Sequence, residues 1–205
     1  MISHATADGI EVLDRIGESE VNLSLWQRPA DPVVEQELSA LEADSLPDVR
    51  CWTSSTSFDD DVHLLLKQRH LDPEDFKQWR LDLARIAKSF FALSEERKVA
   101  LRLETTDGDG CRRFHVDRTQ LRLLCTYRGP GTEWLKNEQV DRVALANFRP
   151  NECVLQNGEA STFEPFWVGI LKGESFPGNV GNGLVHRSPP VSGTDQVRVL
   201  FCLDC

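Results

Sequence analysis

The sequence contains no hydrophobic run that approaches the roughly 18 apolar residues of a membrane-spanning helix. Its first residues also lack the basic segment and apolar stretch that together mark a secretion signal. No internal repeat and no low-complexity tract is present. We therefore expect a globular, cytoplasmic protein that does not bind membranes.

The composition is that of an ordinary folded domain. The chain has 205 residues, of which 40% are hydrophobic and 27% charged. A chain of this length buries a core without covalent cross-links, so its six cysteines are expected to be free thiols. The C-terminal pair Cys202 and Cys205 has the C-x-x-C spacing of zinc or redox sites, but Cys202 lies in an apolar run, which favours a buried structural thiol.

The charge is unevenly distributed. The formal net charge is −10, and residues 1–60 account for it with 13 acidic and 3 basic side chains. Arginines cluster in one stretch, at positions 112, 113, 118, 122 and 128. This cluster fits either a solvated strand face or a pocket for a small anion, because arginine binds carboxylates through two parallel hydrogen bonds. Otherwise no basic surface interleaved with aromatic residues is evident, so we do not expect nucleic-acid binding.

Helical patterns come first along the chain and strand patterns follow. Capping residues and apolar spacing predict helices over 32–44, 73–91 and 95–101. From Cys111 onward, short strands separated by turn residues are predicted over 113–117, 121–127, 143–148, 166–171, 184–187 and 197–203. No long helix interrupts these strands. The order predicts an α+β, mainly β fold, an antiparallel barrel or jelly roll buttressed by N-terminal helices.

Two segments have the pattern H-x-D. In the first, Asp72 precedes Pro73 and the long helix, where it serves as a cap. In the second, His115 and Asp117 lie in a strand-like run, where residues two apart point to the same face. His115 and Asp117 are therefore candidate metal ligands.

His186 is the candidate third ligand, in a strand that ends at a proline-rich turn. Two histidines and one carboxylate on one face of an ion leave positions open, which suits non-haem Fe(II). Twelve residues later Arg198 lies in the last predicted strand, where it could pair with the far carboxylate of a chelating 2-oxo acid.

The order of H-x-D, distal histidine and arginine resembles that of the iron(II)/2-oxoglutarate-dependent oxygenases, whose fold is a double-stranded β-helix of the cupin-like type. More locally, the chain resembles an uncharacterised bacterial family, domain of unknown function 1826. That resemblance rests on residues 21–28, RFHVD at 113–117, LRLLCTYRGPGTEWL at 121–135, ILKGE at 170–174 and VHRSPP at 185–190.

The resemblance implies a role for each matching residue. His115, Asp117 and His186 match the iron ligands, and Arg198 matches the position that holds 2-oxoglutarate. Arg122 and Tyr127 fall where such enzymes often place further co-substrate contacts. The expected activity is hydroxylation or demethylation, with dioxygen, of an unknown small-molecule or peptide substrate.

The resemblance also divides the chain. Residues 111–205 would form the metal-binding double-stranded β-helix, and residues 1–110 an acidic extension with supporting helices, packed together as one unit.

Two other functions use the same residues. A non-catalytic zinc-binding or metal-homeostasis protein could hold zinc on the three ligands or on the cysteines. An isomerase or hydrolase could use the metal as a Lewis acid without oxygen. Arg198 distinguishes the oxygenase from these two functions, because only the oxygenase needs a cation to bind its co-substrate. The alternative is that Arg198 simply pairs with Glu133 or Asp204.

Overall fold

Two β-sheets and five α-helices make up the fold in residues 3–94 and 96–205, which the computed structural model describes. The helices are α1 (Pro32–Leu38), α2 (Phe58–Gln68), α3 (Lys77–Leu93), α4 (Arg142–Ala146) and α5 (Asn151–Val154). The strands are β1 (His4–Ala7), β2 (Leu23–Trp26), β3 (Val49–Thr53), β4 (Val99–Thr106), β5 (Leu121–Arg128), β6 (Glu133–Leu135), β7 (Ser161–Thr162), β8 (Val168–Lys172), β9 (Val185–Arg187) and β10 (Arg198–Asp204). Short 3-10 segments cover Ile10–Gly17, Pro73–Phe76 and Asn137–Gln139.

The larger sheet has seven strands in the order β1-β2-β8-β5-β10-β4-β3, and the smaller has three in the order β7-β6-β9. All pairs are antiparallel except β1 with β2. An isolated bridge between His115 and His186 adds the 115 segment to the free side of β9. The molecule is thus an α+β protein with a large share of sheet, as its sequence predicts.

The main core lies between the large sheet and the helices. Along α3, Trp79, Leu83, Ile86 and Phe90 recur at helical spacing and are fully buried. They belong to the same apolar cluster as the odd-numbered residues of β5 and β10. This burial of one helix face explains why the strongest amphipathic pattern in the sequence forms the longest helix.

A second apolar cluster contains residues of both sheets. Leu124, Leu200 and Cys202 of the large sheet meet Trp134 of the small sheet. Along β10, residues that point between the two sheets therefore alternate with residues that point to the helices, as the two-residue period of a strand requires. A third cluster, which includes Phe114 and Val185, packs with residues of α4 and α5.

Two predicted elements are wrong. Of the helix predicted over 95–101, residue 95 lies outside the described residues, and from Val99 the chain forms β4 instead. Alternate residues of β4 are buried, which is the period of a strand. The strand predicted over 143–148 is instead α4, because the Asp141 side chain accepts a hydrogen bond from the Ala144 amide and caps a helix.

The start of the chain is also more ordered than its composition indicates. β1 and β2 belong to the large sheet, where β2 pairs with β8. The strand predicted over 113–117 is reduced to the single bridge at His115. The large sheet therefore combines strands from residues 1–110 and from residues 111–205.

None of the described helices has the length and apolar character needed to span a membrane.

Candidate metal centre

Three side chains converge at the small sheet. His186 is the middle residue of β9, and its backbone exchanges two hydrogen bonds of 3.0 Å each with the backbone of His115. Asp117 follows two residues later. The ligand atoms of all three lie within 4.8 Å of one another, so the predicted ligands come together in the structure.

Both imidazoles have the same tautomer, although their ring planes are tilted by 47°. The Nδ1 atom of His115 lies 2.9 Å from the Arg113 carbonyl oxygen, and that of His186 lies 3.2 Å from the Leu184 carbonyl oxygen. A carbonyl oxygen only accepts hydrogen bonds, so each Nδ1 carries the proton. Each Nε2 therefore presents a lone pair, and this is the nitrogen that faces Asp117.

The Asp117 carboxylate completes a set of facing lone pairs. Its Oδ2 atom lies 3.3 Å from His186 Nε2 and, although buried, accepts no hydrogen bond from a described residue. Two unprotonated acceptors at this distance repel each other unless a cation or proton lies between them. The donor set thus fits a divalent metal ion, which His115, Asp117 and His186 would hold.

The protonation states of His186 and Asp117 suit a metal, whereas burial is outweighed at His115, where the hydrogen bond to Asp117 raises the pKa above its usual value. Burial lowers the pKa of His186 to about 4, so its ring is neutral near pH 7. Burial alone would raise the pKa of Asp117, but the adjacent His186, His115 and Arg122 hold it at about 2. Neutral imidazole and ionised carboxylate are the forms that bind metals.

Arg122 orients Asp117. Its Nη1 donates to Asp117 Oδ1 at 2.7 Å, while its Nε and Nη2 donate to the two oxygens of Asp204 at 2.5 and 3.0 Å. Arg122 and Asp204 are direct partners across β5 and β10. The predicted role of Arg122 as a co-substrate contact is not the one its position supports, because three of its donors already bind these carboxylates.

Arg198 is a buried cation without an anion. Its Nη2 donates to the hydroxyls of Thr126 and Thr132 at 3.2 and 3.1 Å, its Nε has no partner, and it forms no ion pair with any described residue. Glu133 pairs with Arg187 and Asp204 with Arg122, so neither neutralises Arg198. Burial lowers the pKa of Arg198 to about 10, which leaves it charged.

Comparison with known protein families assigns the chain to one of them. Residues 7–204 match the family described as "Protein of unknown function (DUF1826)". The chain belongs to this family. No curated protein matches it.

Three solved structures are similar to the DUF1826 protein at low identity. A Shewanella oneidensis protein named as a candidate oxygenase is 14% identical, with a TM-score of 0.45 over 98% of this chain and 88% of that one. A Pseudomonas putida prolyl-4-hydroxylase is 11% identical, with a TM-score of 0.35 over 86% and 94%. The hydroxypropylphosphonic acid epoxidase of S. wedmorenis is 10% identical, with a TM-score of 0.31 over 52% and 43%. The DUF1826 protein thus spans less than half the length of that epoxidase.

Tyr127 lies away from the metal centre. Its hydroxyl donates to Asp82 Oδ2 at 2.7 Å, and its ring packs against Trp79 and Phe166 in the main core. It is on the opposite face of β5 from Arg122 because the two are five residues apart. This position in the main core does not support the predicted contact between Tyr127 and a co-substrate.

The C-terminal cysteines do not form a site in the DUF1826 protein. Cys202 belongs to the cluster between the sheets, whereas Cys205 packs on the main core. Three residues apart on an extended chain, they point to opposite faces. In the described part of the chain, His115, Asp117 and His186 are the only group of three residues placed to hold a metal.

The sequence does not indicate the contact of Asp204 with Arg122, the residue that orients Asp117. The two-residue period of β10 places Asp204 on the same face as Arg198, so alternation could have found the face. Its partnership with Arg122 depends on pairing between distant strands, which no local pattern records.

Proposed function

We propose that this DUF1826 protein is an Fe(II)- and 2-oxoglutarate-dependent oxygenase that hydroxylates or demethylates its substrate. The observation that carries the proposal is the unpartnered Oδ2 atom of Asp117, which lies 3.3 Å from Nε2 of His186, while Oδ1 of the same carboxylate lies 3.6 Å from Nε2 of His115. Two histidines and a carboxylate leave enough open positions on Fe(II) for a chelating co-substrate and dioxygen.

The chain path supports a double-stranded β-helix for this fold. From β4 onward, the chain passes repeatedly between the sheets: β4, β5, β8 and β10 lie in the large sheet, and the His115 bridge, β6, β7 and β9 lie in the small one. Such alternation winds two antiparallel sheets around one interior, the arrangement of a jelly roll.

Arg198 supports the choice of co-substrate. A buried guanidinium is costly unless it is paired, and the two threonine hydroxyls do not neutralise its charge. The distal carboxylate of 2-oxoglutarate would do so. A zinc-storage protein gives Arg198 no such partner.

The side chains of this protein would bind and orient the ion and the co-substrate, and they would exclude water from the site. His115, Asp117 and His186 would hold the ion, and Arg122 fixes the rotamer of Asp117. Leu200 and Cys202, on the inner face of β10 between Arg198 and Asp204, keep the interior apolar. When bound, Fe(II) and 2-oxoglutarate supply the oxidising chemistry that no protein side chain provides.

Zinc binding is the second candidate function. Three ligands and one water would also satisfy a four-coordinate zinc ion. Use of the metal as a Lewis acid in an isomerase or hydrolase is a third, which release of succinate from 2-oxoglutarate would exclude.

An anaerobic titration tests the proposal. Metal-free protein receives Fe(II) and then 2-oxoglutarate while the visible charge-transfer band of the chelate is followed. The band is expected to be absent in His115→Ala and to require at least tenfold more 2-oxoglutarate in Arg198→Met, since a charged hydrogen-bonded pair is lost. Arg50→Met, at an exposed position on β3, is the matched control. Absence of the band together with tight zinc binding would overturn the oxygenase proposal and support zinc binding instead.

A further inference from the structure

A groove beside His115 has a composition unlike the rest of the molecule. Its volume is about 480 Å³, within the range of small-molecule sites. It lies between the 111–118 segment and α4, with Glu174 and Gly181 at one side.

Positive charge dominates this groove. Four arginines line it, at positions 113, 118, 142 and 149, against the single carboxylate of Glu174. None of the four forms an ion pair with a described residue. The whole chain has a net charge of −10, so this concentration of unneutralised cations is a local feature.

The four arginines divide into two pairs. Arg113 donates to the backbone carbonyls of Phe148 and Arg149, and Arg142 donates to the carbonyl of Gly183, so these two hold the groove together. In the described structure, the guanidinium groups of Arg118 and Arg149 make no hydrogen bond. Arg118 and Arg149 are therefore the pair available to a ligand.

Phe148 supplies an unusual apolar wall. Its side chain is 80% exposed, and its φ of +53° lies in the left-handed region that favours glycine. A phenyl ring at such a position gains nothing from core packing and leaves the backbone strained. Contact with a ligand gives this ring a use, alongside Phe114 and Leu145 on the same groove.

The groove also contacts one of the three candidate metal ligands. The side chain of His115 is 32% exposed and lines it, whereas those of Asp117 and His186 are 10% and 5% exposed. Access to the three ligands from solvent is therefore widest at His115.

We propose that this groove binds the substrate as an organic anion, with a carboxylate or phosphate on an apolar body. Its role as a substrate site rests on the proposed oxygenase function, whereas the binding itself does not. Arginine matches both anions because its guanidinium donates two parallel hydrogen bonds. Arg118 and Arg149 would hold the anion and Phe148 the apolar body.

The test uses the full-length, metal-free protein and three naphthalene probes. Two are anions, 2-naphthoate and 1-naphthyl phosphate, and the third is the neutral 2-naphthamide. Amide shifts in the ¹H–¹⁵N spectrum should map to 111–118 and 142–149, with both anions bound at least tenfold more tightly than the amide. Equal affinity for the anions and the amide, or shifts elsewhere, would overturn the proposal.

Three variants sharpen the result. Arg118→Gln and Arg149→Gln should each weaken binding of naphthoate about tenfold, whereas the exposed Arg69→Gln should not. Phe148→Gly should weaken binding while leaving the melting temperature unchanged or higher, because glycine relieves the positive φ. Loss of binding only in parallel with loss of stability would contradict a ligand-contacting role.

The two proposals fail separately. If the anions bind but Fe(II) and 2-oxoglutarate give no charge-transfer band, the groove is confirmed as an anion site and the oxygenase proposal is wrong. If the band forms and the anions do not bind, the groove proposal alone is wrong.

Discussion

Asp204 holds the guanidinium of Arg122 from one side while Asp117 accepts a single hydrogen bond from the other. This division matters because Asp117 would need its remaining oxygen to hold a metal. Without the Asp204 charge, Arg122 would be free to pair fully with Asp117 and compete with the ion.

We therefore expect Asp204→Asn to weaken binding of Co(II) to the metal-free protein by about 10-fold or more, the usual size of an effect from residues behind metal ligands. Calorimetric titration measures it. Asp195→Asn, at an exposed position, is the control and should bind as the original chain does. Unchanged affinity in Asp204→Asn would show that Arg122 does not need this anchor.

The six thiols should differ in reactivity according to burial. Cys111 and Cys153 are exposed, whereas Cys125 and Cys202 are buried. Burial raises the pKa of Cys125 to about 12 and also raises that of Cys202, so both remain protonated and unreactive as the pH rises to about 9. A chromogenic disulfide reagent followed by peptide mass spectrometry should label the first pair rapidly and the second only after unfolding. Rapid labelling of Cys125 in the native protein would contradict its position.

Between elements, a buried ion pair joins α3 to the large sheet. Arg28, just beyond β2, donates to both oxygens of Asp82 at 2.5 and 2.7 Å, and Tyr127 donates to the same carboxylate. Removing one partner leaves the other charge buried and unpaired, which costs more than the pair contributes.

Asp82→Asn is thus expected to lower the free energy of unfolding by about 3 kcal/mol. Urea denaturation measures the change. Asp75→Asn, at an exposed position of the Pro73–Phe76 segment, is the control and should stay within about 0.5 kcal/mol. A similar small change in both variants would mean that water reaches the Arg28 pair.

Local chemistry explains which elements the sequence predicts. Asp31 and Asp72 accept hydrogen bonds from the amides of the first turns that follow them, as their positions before proline indicate. β4 was missed because the cap-like Ser94 preceded it, although its alternating burial is the signature of a strand. A strand was predicted in place of α4 because its apolar residues suggest burial, but Val143 is exposed.

The convergence of His115, Asp117 and His186 was predictable for the same reason. The H-x-D spacing puts His115 and Asp117 on one face, and His186 follows in a recognisable strand. Tyr127 points to the main core because it lies an odd number of residues from Arg122 along β5. The position of Arg122 depends on its cross-strand partner, Asp204, 82 residues away, which sequence spacing does not contain.

At the scale of the molecule, the large sheet does not separate into residues 1–110 and residues 111–205. β10 pairs with β4 from Arg198 to Asp204, and β8 pairs with β2. Residues 111–205 alone would expose both strand edges and the sheet face that the helices cover.

We expect a fragment of residues 111–205 to be unfolded, with a narrow amide region in its proton spectrum, while the full chain shows a dispersed one. Addition of a separate 1–110 fragment should restore dispersion if the missing strands are the only cause. A well-dispersed spectrum from 111–205 alone would identify it as an independent domain.

The paired backbone hydrogen bonds of His115 and His186 have a final consequence. They hold two imidazoles at a fixed separation by sheet structure alone, so the cradle exists before any ion arrives. Binding of an ion would therefore not need to fold the site, and folding would not select among ions. Among divalent metals, the occupant would then be set by the ligand types and geometry of the site and by the free concentrations of the metals around the protein.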